Sequence, residues 1–137
     1  MATPEIAVAD THALLWWLSD QRHQLGRQAQ AFFDQVDSAR AVVCVSTMSL
    51  VEIDEAVTRR RISFPEPFPG FVRRLEATPS RYQLVSLTPE IVLHAHELFQ
   101  IPERGDRLIA ATAAALGYPL ITRDPEIARV IGADHLW

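Results

Sequence analysis

The sequence predicts an α/β fold with a mostly parallel central sheet flanked by helices on both faces. Short apolar runs at Ile6–Ala9, Val42–Val45 and Leu120–Thr122 alternate with longer segments in which apolar residues recur at three- and four-residue steps. Strands that alternate with helices build a parallel sheet covered on both faces. No internal repeat, linker or low-complexity segment interrupts the 137 residues, so residues 1–137 are expected to form one domain.

Residues 5–9 read as a buried strand running into Asp10, and residues 12–18 as a short helix ended near Ser19-Asp20. Residues 24–38 predict a helix, with Leu25, Ala29, Phe32, Phe33 and Val36 on one face. A strand is expected at 41–45 and a helix from about 47 to 59. Three prolines among aromatic and aliphatic side chains make 62–71 a stiff loop, followed by a helix at about 69–77 and a strand at 82–86. Thr88-Pro89-Glu90 starts a helix to about 99: a capping residue, then proline where a missing N–H costs nothing. The helix opened by Asp106 ends at Gly117, a left-handed cap, with Pro119 beyond it. A strand at 119–122, a helix at 125–130 and a short terminal strand complete the chain.

Composition narrows the function classes. Apolar content of 48% with 22% charged residues is that of a soluble globular protein. The longest uncharged stretch, Leu108 to Thr122, is broken by Gly117-Tyr118-Pro119 and is shorter than the roughly 18 residues a membrane span needs. No secretory signal is visible, and the single cysteine, Cys44, lies in an apolar run, so a cytoplasmic location is expected. The net charge of −4 argues against a general basic nucleic-acid binder. All 13 basic residues are arginine, which excludes a Walker lysine and a lysine Schiff base.

Four acids, Asp10, Glu52, Asp106 and Asp124, stand where apolar runs give way to helical pattern. Groups just past the carboxyl ends of parallel strands converge on one crevice. Carboxylates brought that close repel, so some stay protonated or a divalent cation neutralises them. Oxygen-only ligands favour magnesium or manganese, the usual equipment of phosphoryl chemistry. Taken singly, each acid reads equally well as a helix cap: Asp124 precedes Pro125-Glu126, Ser49-Leu50-Val51-Glu52 fits a capping box, and Asp10 and Asp106 also suit cap positions. Capping does not explain why junctions in separate parts of the chain repeatedly carry an acid. Thr11, Ser46 and Thr122 flank the acids and offer supporting hydroxyls. Asp54, Glu55, Glu103 and Glu126 read as solvated surface.

Asp10-Thr11-His12-Ala13-Leu14-Leu15-Trp16, Val45-Ser46 with Ser49-Leu50-Val51-Glu52-Ile53, Asp106-Arg107-Leu108-Ile109-Ala110-Ala111-Thr112-Ala113 and Thr122-Arg123-Asp124 together resemble the PIN-domain nucleases, in particular the VapC toxins of bacterial type II toxin–antitoxin pairs. The resemblance spans essentially the whole chain, including Leu136-Trp137. It implies a magnesium- or manganese-dependent endoribonuclease, inhibited by a cognate antitoxin and commonly a homodimer, with Asp10, Glu52, Asp106 and Asp124 as the acidic, metal-holding quartet. One departure stands out: the family often has an Asp-Pro pair before the third acid, where this chain has Glu103-Arg104-Gly105.

Around the quartet, Arg59-Arg60-Arg61 suits either RNA phosphates or a solvated helix end. Arg107 and Arg123 suit either substrate contact or ion pairing with the acids, and His12 reads as a surface residue. His94 and His96 diverge on their helix and make no metal pair. Trp16, Trp17 and the Phe64–Phe71 loop carry apolar surface suited partly to core and partly to a partner's amphipathic helix. Two rival readings remain at this stage. A haloacid-dehalogenase-like phosphatase would want a second aspartate where His12 stands; a non-catalytic binding or regulatory module would use the acids only as caps.

Overall fold

Strand β1 (Ile6–Ala9) is the centre from which the architecture is built. The computed structural model describes residues 3–137. β1 pairs on one side with β2 (Val42–Ser46), which pairs with β3 (Tyr82–Val85), and on the other side with β4 (Leu120–Ile121), which pairs with β5 (His135–Leu136). All four pairings are parallel, giving the order β3-β2-β1-β4-β5. The expected α/β fold is thus observed. The chain leaves β1 toward β2 and later returns to β1's other edge as β4, so the strand order reverses beside β1. Such a switch point opens a crevice at the strands' carboxyl ends.

Strand side chains alternate between two cores, as the two-residue period requires. Ala7, Ala9, Val43, Val45 and Ile121 face one core, with α1 (Thr11–Leu18), α2 (Arg27–Asp37), α3 (Thr47–Thr58) and α4 (Phe68–Glu76) supplying Leu14, Trp17, Phe32, Phe33, Ile53 and Phe71. Val8, Cys44 and Leu120 face the other, against Ile109, Ala110 and Ala113 of α6 (Arg104–Leu116) and Ile127 of α7 (Pro125–Ile131). α5 (Pro89–Glu97) packs on α6 through Ile91, Ala95 and Ala111. Burial also pushes the Cys44 thiol up to about 11, which leaves it unreactive. No described helix is long and apolar enough to cross a membrane.

Local chemistry accounts for most element ends. Thr88 caps α5 by accepting the Ile91 amide, with Pro89 next, and Gly117 closes α6 at φ 73°. Three expectations shift. The helix expected over 24–38 divides: Arg22–Gln24 forms a separate 3-10 turn, and α2 starts at Arg27 behind Gly26. Gly26 is tightly packed, since a Cβ there would lie 2.6 Å from Trp137 Cδ1. The stiff loop ends sooner than expected, because Pro67 and Pro69 flank the first residue of α4 and start that helix instead of opposing it. α6 begins at Arg104, so Asp106 lies within its first turn and does not open it.

Trp17 stacks on Phe33 with ring centroids 4.6 Å apart, and this contact pins α1, whose first turn carries Asp10 as its cap. Phe33→Ala is therefore expected to lower stability by about 3–5 kcal/mol in urea unfolding. A loss near zero would show that α1 is held by something else.

Candidate active site

Asp10 follows β1 directly. Its amide donates to the Ile121 carbonyl at 3.0 Å, tying it to β4, and its carboxylate accepts the Ala13 amide at 2.8 Å as the cap of α1. The side chain is buried, and burial raises its pKa; the Ala13 amide and the Thr122 hydroxyl oppose that rise by bonding the charged form. Asp124 follows β4 and caps α7 by accepting the Glu126 amide at 2.8 Å, while its own amide donates to Thr122 Oγ1 at 3.1 Å. Both residues cap a helix and face the crevice. The two readings of these acids are compatible.

Glu52 and Asp106 do not cap. Ser46, not Ser49, caps α3 by accepting the Met48 amide, so the alternative of a capping box at Ser49–Glu52 does not form. Glu52 instead reaches out from the second turn of α3, and the Thr11 hydroxyl donates to its Oε1 at 2.6 Å. Ser49 Oγ lies 3.0 Å from the same Thr11 oxygen, which fixes its orientation. Burial raises the Glu52 pKa, opposed by the Thr11 bond and reinforced by the charge of Glu103.

Glu103 is the residue the sequence reading set aside as solvated surface. It is exposed, yet it caps α6 with both oxygens, Oε1 accepting the Gly105 amide at 3.0 Å and Oε2 the Asp106 amide at 2.7 Å. One carboxylate oxygen from each of Glu52, Glu103 and Asp106 lies within 4.8 Å of the others. The available signal was its spacing: Glu103 precedes Asp106 by three residues, one helical turn on the same face.

Two adjoining cavities share these acids. Asp10, Asp106 and Asp124 line a crevice of about 380 Å³ together with His12, Trp16 and Arg123. Asp10, Glu52 and Asp106 line a longer groove of about 930 Å³, which runs past Leu15, Trp16, Ile62 and Phe64 to Arg59 and Arg61. Asp106 stands at their junction, and its pKa is pushed up to about 7 by burial and then by the charges of Glu103, Glu52, Asp124 and Asp10. The four expected acids therefore stand around two adjoining cavities, while the tight cluster of carboxylate oxygens among the described residues is Glu52, Glu103 and Asp106 and does not include Asp10 or Asp124.

Among the described residues, the ion pairs Arg22–Asp37, Arg73–Glu76, Arg74–Glu66 and Arg129–Glu126 involve none of these acids. Arg123, whose guanidinium lines the crevice, stacks over Trp16 at 4.5 Å and donates to Gln24 Oε1. Unpaired carboxylates converging with no lysine or cysteine beside them fit a hard divalent cation.

The arrangement is that of a parallel α/β domain with an acidic crevice at its topological switch point. The sequence matches the PIN domain family over residues 7–132, and the chain belongs to that family. Two solved structures share the fold across 96% of this chain and 96% of theirs: VapBC2 from Rickettsia felis bound to a DNA fragment from its promoter, at 15% identity and a TM-score of 0.63, and a toxin–antitoxin complex from Klebsiella pneumoniae, at 18% and 0.57. No curated protein matches the sequence.

The raised Asp106 pKa has a consequence for stability. The folded carboxyl binds a proton between about 4 and 7 that the unfolded chain has released, so the stability it contributes at low pH is lost as pH rises through that window. In EDTA, wild-type unfolding temperature is expected to fall relative to Asp106→Asn from pH 4 to pH 7. Parallel pH profiles for the two proteins would contradict the electrostatic account.

Proposed function

We propose that this chain is a divalent-metal-dependent endoribonuclease that acts as the toxin of a toxin–antitoxin pair, hydrolysing RNA phosphodiester bonds through Asp10, Glu52, Asp106 and Asp124. The observation that carries the reading is the gathering of these acids around two adjoining cavities, with no ion-pair partner among the described residues, at the switch point of a PIN-family sheet. A purely capping role accounts for Asp10 and Asp124 but leaves Glu52 and Asp106 unexplained. That weighs against a non-catalytic module.

Asp10, Glu52, Asp106 and Asp124 would hold magnesium or manganese, which when bound would supply the activation of water and the offset of charge growing on the phosphate. The protein's own groups prepare for this. Thr11 aims Glu52, and the Ala13 amide with Thr122 aims Asp10, so the carboxylates need little rearrangement. Arg123, held over the Trp16 ring in the crevice wall, offers a guanidinium to a phosphate. Arg59 and Arg61 line the groove along which an RNA backbone would run.

The fold match to toxin–antitoxin complexes supports an antitoxin partner. Its amphipathic helix would lie in the groove on Leu15, Trp16, Ile62 and Phe64. Trp17 and Phe71, which the sequence also offered for this role, are core residues at 2% and 0% exposure. A homodimer would use another face. Val92 and Leu93 of α5 and Phe99 just past it expose 53%, 67% and 71% of their surface, and a two-fold axis would set such apolar surface against its own copy. A cytoplasmic location accompanies the RNA substrate.

Two measurements test this reading. Purified protein is expected to cleave mixed RNA in magnesium but not in EDTA. Asp106→Asn should lose more than the roughly 10- to 100-fold typical of outer supporting residues; equal cleavage by the variant would sink the catalytic assignment. Light scattering is expected to give a dimer for the wild type and a monomer for Phe99→Glu, whereas a monomeric wild type would remove the dimer proposal.

A further inference from the structure

Gly105 is the second residue of α6, a position where the backbone itself makes no demand for glycine. Its φ is not positive, unlike those of Gly117 and Gly132. Glycine weakens a helix relative to alanine, so some other constraint must favour it here. That constraint is visible in what a side chain would meet. A Cβ at Gly105 would stand 2.6 Å from Glu52 Oε2, 3.1 Å from Glu52 Cδ and 3.1 Å from Glu103 Oε2. Two carboxylates close over the bare Cα.

We propose that Gly105 is a positioning residue for Glu52, its missing side chain forming the seat that holds Glu52 Oε2 against the first turn of α6. Thr11 grips the other oxygen, Oε1, at 2.6 Å, so the carboxylate is fixed from both sides. The seat lets an acid from α3 come within 4.8 Å of Glu103 and Asp106, although the two helices are far apart in the chain. Glu103 is tied to the Gly105 and Asp106 amides by both of its oxygens, so it is the less free of the two to move. A methyl group at position 105 would therefore displace Glu52. The displaced atom is the free end of a flexible side chain, not backbone, so the fold absorbs the change. Glu103-Arg104-Gly105 thus has a local logic: glutamate caps the helix, and glycine seats the neighbouring acid.

The role of the seat in cation binding rests on the metal-nuclease reading; the seat itself rests on geometry alone. The experiment compares full-length wild type, Gly105→Ala, Glu52→Gln and the double variant by manganese titration calorimetry, with thermal unfolding in EDTA and the ¹³C shift of the Glu52 side-chain carboxyl as metal-free readouts. Gly105→Ala is expected to unfold at the same or a higher temperature, to shift the Glu52 carboxyl resonance and to weaken manganese binding about tenfold. In the Glu52→Gln background the same change should cause no further weakening, because the two residues act as one unit. An unmoved resonance overturns the seat, as does an equal loss of affinity in both backgrounds. A Gly105→Ala protein that fails to fold also counts against it. Wild type that binds no manganese instead sinks the metal reading, and the carboxyl shift then decides the seat alone.

Discussion

Mutual repulsion among the carboxylates at the carboxyl edge of β1, β2 and β4 is the constraint that the site depends on. Two unit charges 4 Å apart interact by about 1 kcal/mol in water and about 4 kcal/mol near a protein surface. Several such pairs outweigh the roughly 0.5–2 kcal/mol that a helix cap contributes. The acids are therefore not gathered by their own hydrogen bonds. They are held by the rigid elements that carry them, and those elements are held by the two cores on either side of the sheet. Burial first, and then the charges of its neighbours, raise the pKa of Asp106, which lines both cavities.

The topology makes that placement economical. β1 is the middle strand, and its last residue is followed at once by Asp10, whose amide bonds to β4. Asp124 lies three residues past the end of β4, so these two acids need only strand pairing to come together. Glu52 and Asp106 arrive differently, on helices α3 and α6. Their approach requires side-chain packing between helices distant in sequence. Thr11 and Gly105 are the points where that packing is specified.

This division explains what could be read from the sequence. Strands, the Thr88 and Asp124 caps and the Gly117 terminus are local: the residues that determine them are neighbours in the chain. The four acids were legible because each stands just past a strand or within the first two turns of a helix. The capping-box alternative at Ser49–Glu52 falls away because Ser46, three residues before Ser49, caps α3 and leaves Glu52 free for Thr11. Trp17 and Phe71 looked available to a partner because their own segments do not bury them. Phe33 of α2 covers the first, and the second lies in the core shared with α1, α2, α3 and the sheet. Only tertiary contacts make them core.

Glu103 shows why a cap and a site residue should not be treated as exclusive. A helix amino terminus favours negative charge through its free amides, and here both oxygens of Glu103 use that favour. The same charge then raises the pKa of Glu52 and Asp106. An aspartate or serine cap would satisfy the amides with less reach toward Glu52. With glutamate, the capping group spans from the helix end into the carboxylate cluster, so the choice of cap adjusts the electrostatics of the acids beside it. The beginning of α6 is thus set by one residue that stabilises the helix and, through the same carboxylate, adds negative charge beside Glu52 and Asp106.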